Sequence, residues 1–157
     1  EVTNQVNNAI NNVNIGGRNY YSNNTSLTSS LPIHERNTGN TPNGFLTSGT
    51  SGQSTIRLNN VITGNGEWTI SGFVRGSQST PISFIIDFCD LVDYYFELNN
   101  DQNNNWTYFK FTQNVNNYTP DVYNFIDINN LSWAYFYFKN IKVEKGNKAT
   151  DWTPAPE

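Results

Sequence analysis

The sequence has one cysteine, one histidine and few charges, and each scarcity removes a class of function. Cys89 has no second cysteine to bond with, so no internal disulfide framework exists. His34 and Cys89 together cannot supply a closed zinc site, and no metal or other cofactor is expected. Only 14% of residues are charged, the nine Lys and Arg form no basic run, and the net charge is -4. A nucleic-acid partner requires a basic surface to displace counterions from phosphates, so none is expected. No apolar stretch approaches the roughly 20 residues that cross a bilayer, and no signal-peptide pattern opens the sequence. The expectation is therefore a soluble domain with no membrane partner, any export signal lying outside these residues.

What is present is aromatic and amide surface. The 157 residues include 10 Phe, 9 Tyr and 4 Trp, with Asn, Ser and Thr abundant. The mean hydropathy of -0.61 would suit a disordered chain, but disordered segments are poor in aromatic and β-branched residues, so this chain should fold. Its length fits one domain with one core.

In residues 1–14, Val2, Val6, Ala9, Ile10 and Val13 recur at spacings of three and four, which predicts a short N-terminal helix ended by Gly16 and Gly17. Such a helix is marginal alone in water. It reads either as a frayed end or as a coiled-coil neck over residues 1–17 that joins copies of the chain, for instance as a homotrimer. From residue 18 to 157 the periodicity becomes two, in short runs separated by Gly, Asn, Asp, Ser and Pro. This predicts an all-β domain, with strands near Thr55 to Val61, Trp68 to Arg75, Ile82 to Phe88, Tyr94 to Leu98, Trp106 to Thr112, Asn124 to Ile128 and Tyr135 to Glu144. Weaker signals lie at Asn19 to Ser22 and Gly44 to Thr47. Alternation places Trp68, Ile70, Gly72 and Val74 on a core face and Thr69, Ser71, Phe73 and Arg75 on a solvent face. Tyr135, Tyr137 and Lys139 share an amphipathic face in the same way. Both parities of Ile82 to Phe88 are apolar, which predicts a central strand covered on both sides.

The closing run Asn140-Ile141-Lys142-Val143-Glu144-Lys145-Gly146 through Thr150-Asp151-Trp152-Thr153-Pro154 resembles the last segment of many phage and prophage tail, baseplate and tail-fibre proteins. The run Ile15-Gly16-Gly17-Arg18-Asn19-Tyr20-Tyr21 resembles the opening of the same domains, and Glu67 to Gly76 and Trp106 to Thr112 are similar to internal strands of jelly-roll carbohydrate-binding modules. The resemblance implies a jelly-roll β-sandwich of two antiparallel sheets. It also implies an extracellular role in a virion tail, with cell-wall or capsular saccharide and other tail subunits as partners. Many related modules carry a structural calcium held in part by an Asp of the last strand, where this chain has Lys139-Asn140-Ile141.

Three functions compete. A non-catalytic saccharide binder stacks rings on the apolar faces of sugars and aims amides and charges at their edges. Its candidate residues are Phe73 and Arg75, then Tyr95, Trp106, Tyr108, Trp133, Tyr135 and Tyr137, with Asp87 and Glu97 as polar partners, while Trp68 and Trp152 are expected to pack. A structural adaptor would use the same sandwich with no ligand. A small glycoside hydrolase would need two carboxylates about 5 to 10 Å apart, for which Asp87 and Glu97 facing each other across paired strands are the candidates. A nucleophilic Cys89 and His34 pair is the weakest enzymatic option, because Cys89 sits in an apolar run where an inert buried thiol is expected.

Overall fold

The computed structural model describes residues 17–22, 25–29, 35–37, 45–48, 54–76, 82–98, 105–132 and 136–155. The predicted N-terminal helix and His34 lie outside them. The strands are β1 (Leu27–Ser29), β2 (Glu35–Asn37), β3 (Phe45–Ser48), β4 (Ser54–Leu58), β5 (Gly66–Gly76), β6 (Ile82–Phe88), β7 (Asp93–Leu98), β8 (Thr107–Val115), β9 (Ile126–Asn130) and β10 (Phe136–Lys145). They form two five-stranded antiparallel sheets, with the order β1-β4-β9-β6-β7 in sheet I and β2-β3-β10-β5-β8 in sheet II. No helix occurs among the described residues, hence none there is long and apolar enough to cross a membrane.

The period-two pattern explains how the sheets meet. Phe84, Ile86 and Phe88 of β6, with Ile56, Leu58, Ile126 and Ile128, turn inward from sheet I, while Trp68, Ile70 and Val74 of β5, with Phe109, Phe138, Ile141 and Val143, turn inward from sheet II. The layers interlock through Phe84, whose ring meets Phe109 at 6.0 Å and Phe138 at 5.6 Å, both edge to face. Each such buried side chain contributes about 1.5–3 kcal/mol relative to exposure, so this inner stripe holds the sandwich closed.

Several expectations change. Although β7 and β8 follow one another in sequence, they lie in different sheets and do not pair. Residues 19–22 form no strand ladder; Tyr20 N–H donates once to Val143 O at 2.8 Å. β6 is an interior strand, flanked by β9 and β7 as expected, but Ile85 is only partly buried, so the outer side of that strand is not fully covered. Thr69 and Ser71, expected to face solvent, are 0% and 4% exposed. They do point away from the core, yet chain 146–155 folds back over them.

That fold-back joins the two motif-like ends of the sequence. The Asn19 amide, buried between them, donates to Ile141 O and Thr153 O at 3.0 Å each and accepts from the N–H groups of Tyr21 and Val143. Gly17 N–H donates to Thr150 Oγ1 at 2.9 Å, and a Cβ on Gly17 would lie 2.7 Å from Glu144 Oε1, so the residue is glycine here because the chain must approach so closely. Beneath the fold-back, Lys142 Nζ donates to Thr150 Oγ1 at 2.7 Å and Asp151 O at 2.6 Å, and Thr150 Oγ1 donates to Glu144 Oε1 at 2.6 Å. Burial lowers the Lys142 pKa, opposed by the charges of Glu144 and Asp151.

Candidate functional site

The register of sheet II aligns an aromatic and cationic surface. Tyr137 of β10 lies opposite Arg75 of β5, and Lys139 lies opposite Phe73, which in turn lies opposite Tyr108 of β8. All five alternate away from the core. Trp106, just before β8, completes the first row: the Arg75 guanidinium carbon is 5.3 Å from its ring centre and 4.7 Å from that of Tyr137. Lys139 Nζ is 4.5 Å from the Trp106 ring centre and 5.7 Å from that of Phe73. Phe73 and Tyr108 meet edge to face at 5.5 Å, and Tyr108 is half-exposed.

A β-bulge shapes the ground beside these rings. Between Lys139 and Lys142, β10 places Asn140 and Ile141 against the single residue Gly72, and Asn140 takes a φ of 52°, in the left-handed region that Asn tolerates better than most residues. The bulge and the returning chain leave an open cavity of about 270 Å³, bounded by Ser71, Gly72, Phe73, Tyr108, Asn140, Ala149, Thr150, Asp151 and Trp152. Two of the residues around it hold buried, unpaired polar atoms, the acceptor Asn140 Oδ1 and the donor Trp152 Nε1; Arg75 Nε is a third unpaired atom on the same face. Leaving such a group unsatisfied costs about 1–3 kcal/mol, and all three atoms are shielded from solvent.

The ten sequence candidates therefore divide. Phe73, Arg75, Trp106, Tyr108 and Tyr137 come together on sheet II. Asp87, Tyr95 and Glu97 lie on the outer face of sheet I, with the core between the two groups. Trp133 and Tyr135 lie outside the described residues. Sequence reasoning missed Lys139, although its two-residue spacing from Tyr137 marks the same face. It also missed Asn140 and assigned Trp152 to packing, because neither a bulge nor a fold-back leaves a period-two signal.

The carboxylates expected to face each other lie on sheet I. Asp87 pairs with Asp93 and Glu97 with Ser83, so the expected carboxylate pair is four residues out of register, roughly 13 Å along the strands. Glu97 instead accepts from Tyr95 Oη at 2.8 Å. A closer grouping exists, with one carboxylate oxygen from each of Asp87, Asp90 and Asp127 within 4.8 Å of one another. Arg57 already holds Asp127 through two bonds of 2.8 Å. Burial, then the charges of Asp90 and Asp127, push Asp87 up to about 6, against the opposing backbone N–H of Asp90. Asp87 and Asp127 are 8% and 5% exposed, while Asp90 is exposed.

Cys89 is buried in the turn between β6 and β7, and burial pushes its thiol up to about 11, far from a nucleophilic thiolate at neutral pH. The calcium that the sequence resemblance associates with the last strand does not fit here. Among the acidic side chains of β10 there is only Glu144, and it is engaged by Thr150 with the Lys142 ammonium 4.0 Å away.

No family model matches the chain, and no curated protein matches it. Solved structures do. The tripod from the baseplate of bacteriophage Tuc2009 superposes with a TM-score of 0.51 at 15% identity, over 88% of this chain and 59% of that one. The CBM22-1 xylan-binding domain from Paenibacillus barcinonensis gives 0.50 at 12% identity, over 85% and 98%. The chain has a fold like that of carbohydrate-binding modules. An exo-β-1,3-galactanase from Phanerochaete chrysosporium, solved with β-1,3-galactotriose, also matches at 0.53 and 16% identity, over 82% of this chain but only 29% of that one. The likeness thus covers part of an enzyme chain and nearly all of a binding domain. At these identities it speaks for the fold alone.

Proposed function

We propose that residues 18–157 are a non-catalytic carbohydrate-binding module of jelly-roll form, acting outside the cell in a phage or prophage tail and adsorbing it to bacterial cell-wall or capsular saccharide. Residues 1–17 then serve as a neck helix that trimerises the chain and joins it to other tail subunits. The observation that carries the reading is the outer face of sheet II, where four aromatic side chains, two cations and a cavity with an unpaired acceptor and donor lie together. Rings take the apolar face of a sugar, and a hydroxyl both donates and accepts, which suits the polar residues Ser71, Asn140, Thr150 and Asp151 that line the cavity. Neither a nucleophile nor a reachable carboxylate pair accompanies this face among the described residues, which supports binding without hydrolysis.

The test is an array of bacterial cell-wall and capsular saccharides probed with the intact chain. Reproducible binding is expected, and Phe73→Ala or Tyr137→Ala should reduce it at least tenfold while the circular dichroism spectrum stays native. Silence across all saccharides would sink the proposal and leave a ligand-free tail adaptor. Release of sugar from host walls would overturn its non-catalytic part.

A further inference from the structure

Building on the proposed saccharide face, we infer that its ligand is an anionic saccharide, one bearing carboxylate or phosphate groups, held by Arg75 and Lys139. The chain is acidic, with 13 Asp and Glu against nine Lys and Arg, so an anionic polymer is repelled by its surface in general. A local concentration of positive charge is needed to reverse that. The two ion pairs among the described residues use other cations, Arg57 with Asp127 and Lys142 with Glu144. Arg75 and Lys139 have no carboxylate within salt-bridge distance among the described residues.

These two cations are also placed together. Both sit against the Trp106 ring, at 5.3 and 4.5 Å, so the charges are less than 10 Å apart on adjacent strands. Two like charges held over one indole repel each other, and the ring faces offset that only in part. An anion between them removes the repulsion. A guanidinium matches the two oxygens of a carboxylate or phosphate, and an ammonium meets either as a point charge. Phe73, Tyr108 and Tyr137 flank the cations, so a pyranose ring can stack while its acidic substituent meets them. A neutral glycan would satisfy the rings and the cavity but leave both charges unanswered.

The experiment titrates the intact chain by calorimetry with three probes of similar length: oligogalacturonate for carboxylate, a glycerol-phosphate polymer for phosphate, and xylo-oligosaccharide as the neutral case. At least one anionic probe should bind tenfold or more tightly than the neutral one, weakening as salt is raised from 50 to about 300 mM. Which anionic probe binds identifies the source of the charge. Arg75→Gln and Lys139→Gln should each collapse the anionic preference and flatten the salt dependence, and Arg75→Lys should restore the salt dependence but not the full preference. The Lys139 variant guards against a folding failure at Arg75. Equal or better binding of the neutral probe, insensitive to salt, overturns the inference and leaves the saccharide reading standing. Binding to none of the probes, when the array above is also silent, removes both.

Discussion

The outer face of sheet II has a closed half and an open half, built on the same strands. In the closed half, Thr69, Ser71, Lys142 and Glu144 point outward and are buried beneath chain 146–155. Three of the four have their polar atoms engaged: Thr69 Oγ1 donates to Gly146 O at 2.7 Å, and Lys142 and Glu144 are joined through Thr150. In the open half, a few residues along, Phe73, Arg75, Tyr108, Tyr137 and Lys139 lie beside atoms without partners. One surface of one sheet thus serves stability at one end and leaves unspent hydrogen-bonding capacity at the other. The boundary between them is the bulge at Asn140.

Variants should separate the two halves. The largest effect is expected from Lys142→Met in the closed half, which leaves Glu144 as a buried charge without its cation and should cost about 3–5 kcal/mol in urea denaturation. Adding Glu144→Leu should recover most of that loss, and a single-variant cost below about 1 kcal/mol would show that the closed half is not a stabilising unit. In the open half, Trp106→Ala should lower saccharide affinity tenfold to a hundredfold, about 1.4–2.8 kcal/mol, with little change in melting temperature. Tyr95→Ala, on the opposite sheet, should leave affinity unchanged; equal losses from both would erase the distinction between faces.

The smallest effect concerns Asp87, on the face of sheet I, where a row of Arg57, Asp127, Asp87 and Asp93 crosses four strands. Its folded pKa of about 6 lies above the ordinary aspartate range, so the native state binds the proton more tightly than the unfolded chain. Its contribution to stability is therefore full below about pH 4 and is lost as pH rises through 6. Asp87→Asn removes this titration. It should be more stable than wild type at pH 8, by on the order of 1 kcal/mol, and the difference should vanish near pH 4. A difference that grows as pH falls would contradict the assignment.

The long strands were legible because Trp68, Ile70 and Val74, or Phe84, Ile86 and Phe88, repeat at the spacing a sheet imposes. β1 and β2 were not, since three residues hold too little alternation to register. Phe73, Arg75, Tyr108 and Tyr137 of the open half were legible for the same reason as the strands, being outward positions of β5, β8 and β10. Asp87 and Glu97 misled because sequence gives each residue's face but not the register between strands or which sheet a strand joins. Thr69 and Ser71 misled because a polar residue under a non-periodic segment looks the same in sequence as one in water. Only the hydrogen bonds of chain 146–155 distinguish them.

The Asn19 amide has a consequence for how the molecule is made. Its partners Ile141 and Thr153 lie 122 and 134 positions away, so its bonds are among the most non-local contacts in the fold. Chains that depend on such contacts assemble slowly, since the ends must find each other before anything is gained. During synthesis, Asn19 emerges 134 residues ahead of Thr153, and its amide stays solvated until that segment follows. The segment around Thr153 is thus the latch for the one around Asn19, and the sandwich is sealed only after both have been made.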